Sequence, residues 1–169
     1  MSDDAFWQTK SLDQLTPVEW EALCDGCAQC CRLKLEDVDT GRIGCTSVVC
    51  HLLDQDTCRC LDYDARHVRV PDCIEFDAAA VAQLHWLPET CAYRLRAEGR
   101  PLPSWHYLVC GDRDAVHRAG MSVRGRVMSE AYVHPSDVEN RIVHWIEPQG
   151  RMKTGPKDRI KTEPKDRER

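Results

Sequence analysis

The chain has 169 residues, eleven of them cysteine, and a formal net charge of −5. This length suits one domain of ordinary size with a tail, and the longest small apolar run, Ala78 to Ala82, is far too short to cross a membrane. Leu, Val, Ile and Phe make up only about a fifth of the chain, so we expect something besides an aliphatic core to help hold the fold.

The eleven cysteines are better explained as metal ligands than as disulfides. Residues 1–10 have neither the basic nor the apolar segment of a signal peptide, so we expect a cytoplasmic protein with reduced thiols. The count is odd, and Cys30 and Cys31 are adjacent, which crowds four thiols into eight residues and disfavours separate unstrained disulfides. Clustered reduced thiols indicate metal ligands, with free or redox thiols as the alternative.

The first predicted element is a helix over residues 17–23. Thr16 and Glu19 match a capping box, and Pro17 occupies the first helical position. We expect this helix to end where Asp25 and Gly26 turn the chain into the cysteine run.

The run Cys24, Cys27, Cys30 and Cys31 carries the strongest chemical signal. In a Cys-x2-Cys loop both sulfurs face one metal, and two such loops overlap at Cys27. The three cysteines at successive two-residue gaps resemble the ferredoxin stretch around an iron–sulfur cube, although the fourth cysteine follows immediately and Arg32 stands where ferredoxins have proline. Adjacent cysteines project in different directions, so a polynuclear cluster, or two neighbouring sites, would use both Cys30 and Cys31.

Further candidate ligands lie downstream. Residues 32–72 show no sustained periodicity, so we expect irregular loops tied together by ligation. The cysteines available to complete one or two sites are Cys50, Cys58, Cys60, Cys73 and Cys91. His51 and His67 are candidate ligands, whereas the isolated Cys45 and Cys110 are expected to be small apolar residues. The histidines expected at the surface or in the core are His85, His106, His117, His134 and His144.

The middle of the chain is predicted to be helical. Asp77 is expected to cap a helix over residues 78–85, and a second helix is expected over residues 87–98. Asp112 or Asp114 is expected to cap another short helix.

The pattern towards the C-terminus predicts one strand and one helix. Residues 122–128 alternate and predict a strand. A second capping box at Ser136 and Glu139 predicts a core helix. One face of that helix carries Val138, Ile142, Val143 and Trp145. The expected fold is therefore mainly α with irregular loops and at most a short β element, in a small single domain over residues 1–148 organised around a cysteine metal cluster.

Residues 149–169 are expected to form a disordered basic tail. Residues 151–169 carry eight Lys or Arg and four Asp or Glu, and repeat the pattern Lys-Thr-x-Pro-Lys-Asp-Arg. The tail is thus +4 and the remaining chain −9. An acidic body disfavours binding to phosphate backbones, so nucleic-acid contact is expected at most weakly, through the tail.

These cysteines and their surroundings resemble the CxxCxxCC cysteine-cluster family of zinc- or iron-chelating domains, and within it the YcgN-type bacterial proteins. The resemblance covers nearly the whole chain except the tail. The segments that carry it are Phe6–Lys10, Glu19–Cys27 with Cys30 and Cys31, Pro71–Ile74, Trp86–Leu95 and Leu102–His106.

The resemblance implies a ligand set. Its members are Cys24, Cys27, Cys30, Cys31, Cys50, Cys60 and Cys73, followed by Cys58 and Cys91. The family's Cys-x-x-Tyr-x-x-Arg-Pro-x-x-Cys segment is matched by Cys60, Tyr63 and Arg66, but Pro71 is displaced towards Cys73. Some larger relatives resemble flagellin lysine methylases, but this chain lacks the additional sequence such an enzyme needs, so that activity is not carried over.

The search for an enzyme activity finds no catalytic motif, so the protein is expected not to be an enzyme, although enzymatic chemistry stays open. The leading hypothesis is an accessory metal-binding protein that holds zinc or iron on clustered thiolates. The alternatives are an iron–sulfur redox or sensor protein, an accessory factor of an enzyme, and a metal chaperone or buffer. The expected cofactor is therefore an iron–sulfur cluster or Zn²⁺; a protein partner stays open, and no membrane partner is expected.

Overall fold

The structure of the chain is a computed structural model that describes residues 5–148. The helices within this range are α1 (Phe6–Thr9), α2 (Pro17–Leu23), α3 (Arg66–Arg69), α4 (Ala78–Val81), α5 (Ala92–Ala97), α6 (Tyr107–Cys110) and α7 (Ala115–Arg118). The strands are β1 (Arg32–Glu36), β2 (Ile43–Val49), β3 (Leu53–Asp54), β4 (Arg59–Cys60), β5 (Met128–Ser129) and β6 (Ile142–Ile146). The 3₁₀ turns are Leu12–Gln14, Gln29–Cys31, Glu130–Tyr132, Pro135–Asp137 and Glu139–Arg141.

Helix α2 confirms the prediction made from its capping box. The Glu19 N–H donates to Thr16 Oγ1 at 3.3 Å, and the Thr16 N–H donates to Glu19 Oε2 at 2.8 Å. Lys10 Nζ contacts Glu19 Oε1 at 2.6 Å and ties the preceding segment to this cap. These contacts satisfy the first N–H groups of the helix that delivers Cys24.

The expectation of a mainly α protein with at most a short β element is wrong. A four-stranded sheet forms around β2, which pairs antiparallel with β1 and β6 and parallel with β5. Strands β3 and β4 form a separate two-stranded hairpin. Among the described helices only α2 reaches seven residues, so the fold is a mixture of short helices and a small sheet.

The strands between residues 32 and 60 replace the irregular loops expected there. Five of the seven β2 residues are buried, so this strand lacks the polar alternation by which a half-exposed strand is recognised. Gly44 in β2 lets β6 approach closely, because a Cβ there would lie 2.8 Å from Ile142 Cδ1. Because both faces of β2 are buried, its sequence does not show the alternation of polar and apolar residues that would have predicted a strand.

Residues 142–146 form strand β6 rather than the predicted helix. The capping box predicted at Ser136 does not form: Ser136 lies inside the 3₁₀ turn Pro135–Asp137, where His134 Nδ1 accepts its N–H at 3.2 Å. A second 3₁₀ turn, Glu139–Arg141, follows. The following residues, Ile-Val-His-Trp-Ile, are β-branched or aromatic at four of five positions and favour a strand. Pairing with β2 then stabilises the extended conformation over the helical one.

The other predicted elements are partly confirmed. Asp77 caps α4 by accepting the Ala80 N–H at 2.6 Å, but α4 ends at Val81. Helix α5 begins only at Ala92 and is followed by Gly99 at a φ of +68°. The strand predicted over residues 122–128 is reduced to β5, Met128–Ser129.

Two separate apolar clusters form the interior. The helical core consists of Leu12, Leu23, Val81, Trp86, Leu87, Ala92 and Tyr93. The sheet core consists of Ala28, Val49, Leu53, Cys58 and Val123. Cys30 and Cys91 pack against the helical core, and Cys31 packs against the sheet core. The adjacent residues Cys30 and Cys31 therefore lie at the junction of the two cores.

The basic tail predicted over residues 149–169 lies outside the described residues. Within the described part of the chain, no helix combines the length and the apolar character needed to span a membrane.

Candidate metal centre

The first cysteine of the run is delivered by the end of α2, whose last carbonyl groups are held by side chains from distant segments. The Tyr93 hydroxyl donates to the Trp20 carbonyl at 2.8 Å. The Tyr107 hydroxyl donates to the Ala22 carbonyl. The last turn of a helix leaves its carbonyls without partners inside the helix, so these contacts fix where the helix ends. Sequence reasoning missed both tyrosines.

His106 holds the third carbonyl at this helix end. Its side chain is fully buried, and its Nε2 lies 3.0 Å from the Leu23 carbonyl oxygen. Its Nδ1 accepts the Leu108 N–H at 3.1 Å, so the proton lies on Nε2, which donates to Leu23. Burial lowers the pKa of His106, which favours this neutral form. The imidazole thus fixes the backbone immediately before Cys24, as the core residue expected from the sequence.

The loop after Cys24 is shaped by Asp25. Asp25 Oδ1 accepts the Cys27 N–H at 2.8 Å, an arrangement that turns the chain between the two cysteines. Gly26 has a φ of +80°, and Ala28 also adopts the left-handed conformation, with a φ of +58°. The Cys27 carbonyl accepts the Val123 N–H at 3.0 Å, which anchors the loop to the sheet core.

Four thiols form the first cysteine group: Cys24, Cys27, Cys30 and Cys91. Cys24 is exposed, whereas Cys27, Cys30 and Cys91 are partly buried. Burial, and then the negative charges of Asp25 and Cys30, raise the pKa of Cys27 well above its usual value. Burial raises the pKa of Cys91 to about 11, with smaller contributions from Cys30 and Asp25. The thiols are therefore close enough for the charge of one to oppose ionisation of the next.

Cys30 and Cys31 interact directly at the junction of the cores. The hydrogen bond from the Cys31 thiol lowers the pKa of Cys30 to about 7, and the Lys34 ammonium adds to this effect. The same hydrogen bond, followed by burial, raises the pKa of Cys31. Lys34 Nζ donates to the Cys30 carbonyl at 3.3 Å, so a positive charge lies beside the most acidic thiol of the run.

Four thiols also form the second cysteine group: Cys31, Cys50, Cys60 and Cys73. The Cys50 N–H donates to the Cys31 carbonyl at 3.0 Å. The negative charges of Cys50 and Cys73 raise the pKa of Cys31, after larger effects of Cys30 and burial. Cys60 lies in the β3–β4 hairpin, and its charge in turn raises the pKa of Cys73.

Arg66, which matches the family segment, lies beside the second cysteine group. Its guanidinium stacks on the Tyr63 ring at 3.8 Å from the ring centroid and donates to the Tyr63 carbonyl at 2.6 Å. Burial raises the pKa of Cys73, and the Arg66 charge opposes that rise. The Tyr63 hydroxyl donates to Glu21 on α2 at 2.8 Å, which links this segment to the first cysteine group.

Cys50 also belongs to a mixed set of donor atoms at the surface. Atoms of Cys50, His51 and Glu130 all lie within 4.8 Å of one another. His51 Nδ1 contacts Glu130 Oε1 at 2.8 Å, and the His51 N–H donates to the same oxygen at 3.1 Å. His51, a candidate ligand from the sequence, is thus oriented by Glu130, which the sequence did not indicate.

The remaining cysteines have different surroundings. Cys58 is buried in the sheet core, where burial raises its pKa and the Arg124 charge has the next largest effect. Cys45 is buried in β2 near Lys34, and burial raises its pKa. Cys110 is exposed and donates to the Trp105 carbonyl at 3.4 Å. The structure therefore places Cys58, one of the predicted ligands, in an apolar setting. His67 lies in α3, four residues after Tyr63.

The cysteine thiols and the Asp25 carboxylate together form a donor set that fits a bound metal cation. The Asp25 residue is only 9% exposed, and its Oδ2 has no hydrogen-bond partner among residues 5–148. Its charge also raises the pKa values of Cys24, Cys27 and Cys91. Leaving one oxygen of a buried carboxylate without a partner is unfavourable, and placing thiolates beside it adds repulsion. A metal cation supplies the positive charge that such a set of groups requires.

A cysteine-rich metal-binding protein is the class that this site defines, and the family comparison agrees. Residues 23–92 match the CxxCxxCC family model, whose description is "Putative zinc- or iron-chelating domain". This range contains all eight cysteines of the two groups. The match supports metal binding by this part of the chain.

The particular family is UPF0260, to which the chain belongs. It is 55% identical to the UPF0260 protein NGR_c07710 of Sinorhizobium fredii over 145 residues, 86% of this chain and 94% of that protein. It is also 55% identical to a UPF0260 protein of Marinobacter nauticus, over 83% of this chain and 95% of that protein. The UPF0260 protein Atu0932 of Agrobacterium fabrum is 54% identical, over 86% and 90% of the two chains. No solved structure matches the chain.

Proposed function

We propose that the protein binds an iron–sulfur centre through two adjacent groups of four cysteines, which meet at the junction of its two cores. The ligands are Cys24, Cys27, Cys30 and Cys91 in the first group and Cys31, Cys50, Cys60 and Cys73 in the second. The observation that carries the proposal is the position of Cys30 and Cys31, which are adjacent in the chain but pack against different cores. They therefore join two groups that each have the ligand count of a four-cysteine site.

The spacing of the sulfurs supports a centre with several metal atoms. Within residues 5–148, no three cysteine sulfurs lie within 4.8 Å of one another. Four sulfurs at about 2.3 Å from a single tetrahedral zinc would lie about 3.8 Å apart. The cysteine sulfurs are farther apart than the ligands of a single zinc ion. This wider spacing is compatible with a cluster in which several metal atoms lie between the sulfurs.

The charges around the two groups support the same assignment. Lys34 lies beside Cys30 and Arg66 beside Cys73, so each group has one cation that offsets thiolate charge. Burial lowers the pKa of Lys34, and the charge of Cys30 opposes that shift. An iron–sulfur cluster supplies one-electron transfer. The protein's residues bind it, shield it partly from water and set the charge around it.

The test is metal and sulfide analysis of the full chain, purified without oxygen from cells given both iron and zinc. The proposal predicts iron with acid-labile sulfide and a broad absorption band near ~400 nm, where thiolate-bound iron–sulfur clusters absorb. Zinc alone, without sulfide or colour, would overturn it and leave a zinc site that stabilises the fold.

The surface set Cys50, His51 and Glu130 favours a second candidate function, metal handling by a chaperone or buffer. The His51 side chain is 41% exposed, so an ion bound there exchanges readily with solvent. This candidate predicts that His51→Ala lowers the amount of exchangeable zinc by one ion per chain while cysteine-bound metal is retained. An unchanged zinc titration in His51→Ala would remove it.

A cytoplasmic location belongs to this proposal, because a reducing compartment keeps the cysteines available as ligands. The proposal also includes a protein partner. This partner is either a protein that exchanges electrons with the cluster or an enzyme that this protein assists. A pull-down from cells that compares the iron-loaded chain with the metal-free chain tests the partner, which is expected to bind only the loaded form. Equal recovery with both forms would remove it.

A further inference from the structure

A cleft of about 520 Å³ lies between the sheet and the segment that follows α4. Its sheet side is formed by β1, β2 and β6, and its other side by residues 85–89 and α5. This volume is within the range of clefts that bind small organic molecules, about 300–1,000 Å³. Nothing in the metal centre requires such a cleft.

The floor of the cleft is cationic. Arg32 and Lys34 stand two residues apart on β1, and both line the cleft. Arg32 donates to the Thr46 carbonyl at 2.9 Å and to Gln29 at 2.8 Å. Within the described residues, neither Arg32 nor Lys34 forms an ion pair with a carboxylate. Two carboxylates also line the cleft, Glu89 and Glu147, and Glu147 pairs with Arg42 at 3.1 Å. The cleft therefore presents two cations that are held in place by backbone and amide oxygens rather than by ion pairs.

The walls of the cleft are flat and apolar. Trp86 and Trp145 line it from opposite elements, the segment after α4 and strand β6. Lys34 Nζ lies 4.2 Å from the Trp86 ring centroid, so cation and aromatic surface meet at one end. Both indole rings are flat apolar surfaces against which an aromatic ring of a ligand can pack.

The cleft adjoins the metal centre through Lys34. The Lys34 ammonium donates to the Cys30 carbonyl at 3.3 Å and to the Arg32 carbonyl at 2.9 Å. Cys45, which lines the cleft, pairs with Lys34 across the β1–β2 ladder. A molecule bound in the cleft would therefore lie one side chain away from the first cysteine group.

We propose that this cleft binds a small organic anion that carries a flat aromatic ring. The carboxylate or phosphate of that anion contacts Arg32 and Lys34, and its ring packs against Trp86 and Trp145. The binding site does not depend on which metal the cysteines hold, so it goes beyond the proposed metal function and can fail independently of it.

The test uses three probes of the same shape on the metal-loaded full chain: 2-naphthoate, 2-naphthyl phosphate and the neutral 2-naphthamide. Isothermal titration calorimetry is expected to show one site per chain. At least one anion should bind about tenfold or more tightly than the amide, the factor supplied by one charge-assisted hydrogen bond. Tighter naphthoate would identify a carboxylate ligand, and tighter naphthyl phosphate a phosphate ligand. Equal affinity of all three probes, or no binding of either anion, would overturn the proposal.

Two variants locate the binding. Arg32→Gln is expected to remove the preference for the anions, while Arg69→Gln, which removes an equally charged exposed residue outside the cleft, is expected to keep it. Trp145→Leu is expected to weaken all three probes together, because it removes a wall and no charge. Metal content is measured for each variant, so that loss of the cysteine sites is recognised. Anion affinity unchanged in Arg32→Gln, or probe affinity unchanged in Trp145→Leu, would overturn the proposal.

Discussion

The two apolar cores differ in how much of their stability can come from packing. The helical core includes large side chains such as Leu23, Trp86 and Tyr93, and further partly buried aromatic residues pack against it. The sheet core has only five buried members, and one of these is Ala28 and another Cys58. A cluster this small buries too little apolar surface to be stable by itself.

The difference indicates what the metal does for the fold. Cys30 faces the helical core and Cys31 the sheet core, so metal bound by both groups connects the two cores across one peptide bond. Metal ligation contributes directly to folding where the site does not exist in the unfolded chain. The sheet core should therefore depend on the metal more than the helical core does.

The largest effect is expected from removing the metal. A strong chelator should unfold the sheet core first, because that core has the smaller buried surface. Hydrogen exchange followed by mass spectrometry should show loss of protection at β2 and around Val123, with more protection left at α2 and α5. Equal loss of protection in both cores would contradict the comparison.

The next largest effect is expected for Cys30→Ser. Cys30 stands at the junction and interacts with both cysteine groups, so its loss should remove at least half of the bound metal and lower the free energy of unfolding. Cys110→Ser is the matched control, because Cys110 is exposed and bonded to backbone carbonyls. Full metal content in Cys30→Ser, measured by elemental analysis, would show that the junction is not a ligand site.

A smaller effect on metal binding is expected for Asp25→Asn. Asparagine keeps the oxygen that accepts the Cys27 N–H but removes the negative charge at the unpartnered oxygen. Metal release to a chelator should become roughly tenfold faster, as for losses of groups that support metal ligands.

Asp37→Asn is the control for this variant. Asp37 accepts the N–H groups of Asp39 and Thr40 in a similar turn, and the cysteine groups lie elsewhere. Its metal release rate should equal that of the wild type. Equal rates in Asp25→Asn and the wild type would remove Asp25 from the metal centre.

The Cys58→Ala variant tests whether Cys58 packs in the sheet core or binds metal. Cys58 lies in the sheet core, so its replacement should cost on the order of 1 kcal/mol in the free energy of unfolding. Metal content should stay that of the wild type. Loss of metal in this variant would return Cys58 to the ligand set implied by the family resemblance.

The smallest effect is expected for Glu19→Gln at the cap of α2. The hydrogen bond from Lys10, followed by that from the Thr16 N–H, lowers the pKa of Glu19 below its usual value of 4.5. A carboxylate whose pKa is lower in the folded state stabilises the protein above its unfolded pKa and loses that effect as the pH falls. Urea unfolding should therefore show wild type more stable than Glu19→Gln at neutral pH, with the difference beginning to fall near pH 4.5 and lost as the pH drops through the lowered pKa of Glu19. A difference independent of pH would contradict this.

The sequence was informative where local chemistry decides the structure. Thr16, Pro17 and Glu19 define α2, and Asp77 caps α4, because a helix start depends on a few neighbouring residues. Strands β2 and β6 were missed because their conformation depends on pairing between residues about a hundred positions apart.

The candidate site was predictable only in part for the same reason. The cysteine spacing indicates metal ligands, but it does not divide them into two groups or separate Cys58 from Cys60. The parts played by Tyr93 and His106 depend on contacts with a helix more than 70 residues earlier in the chain. Asp25 was visible only as a turn residue, because its unpartnered oxygen is a property of the folded site.

X-ray absorption at the edge of the bound metal tests the central claim most directly, since it reports the ligand atoms and the distance to any neighbouring metal. The structure leads us to expect a shell of sulfur ligands together with scattering from a nearby second metal atom, both lost in Cys30→Ser. A single metal with oxygen or nitrogen ligands, or one with four sulfurs and no metal neighbour, would contradict the proposal of two joined cysteine groups.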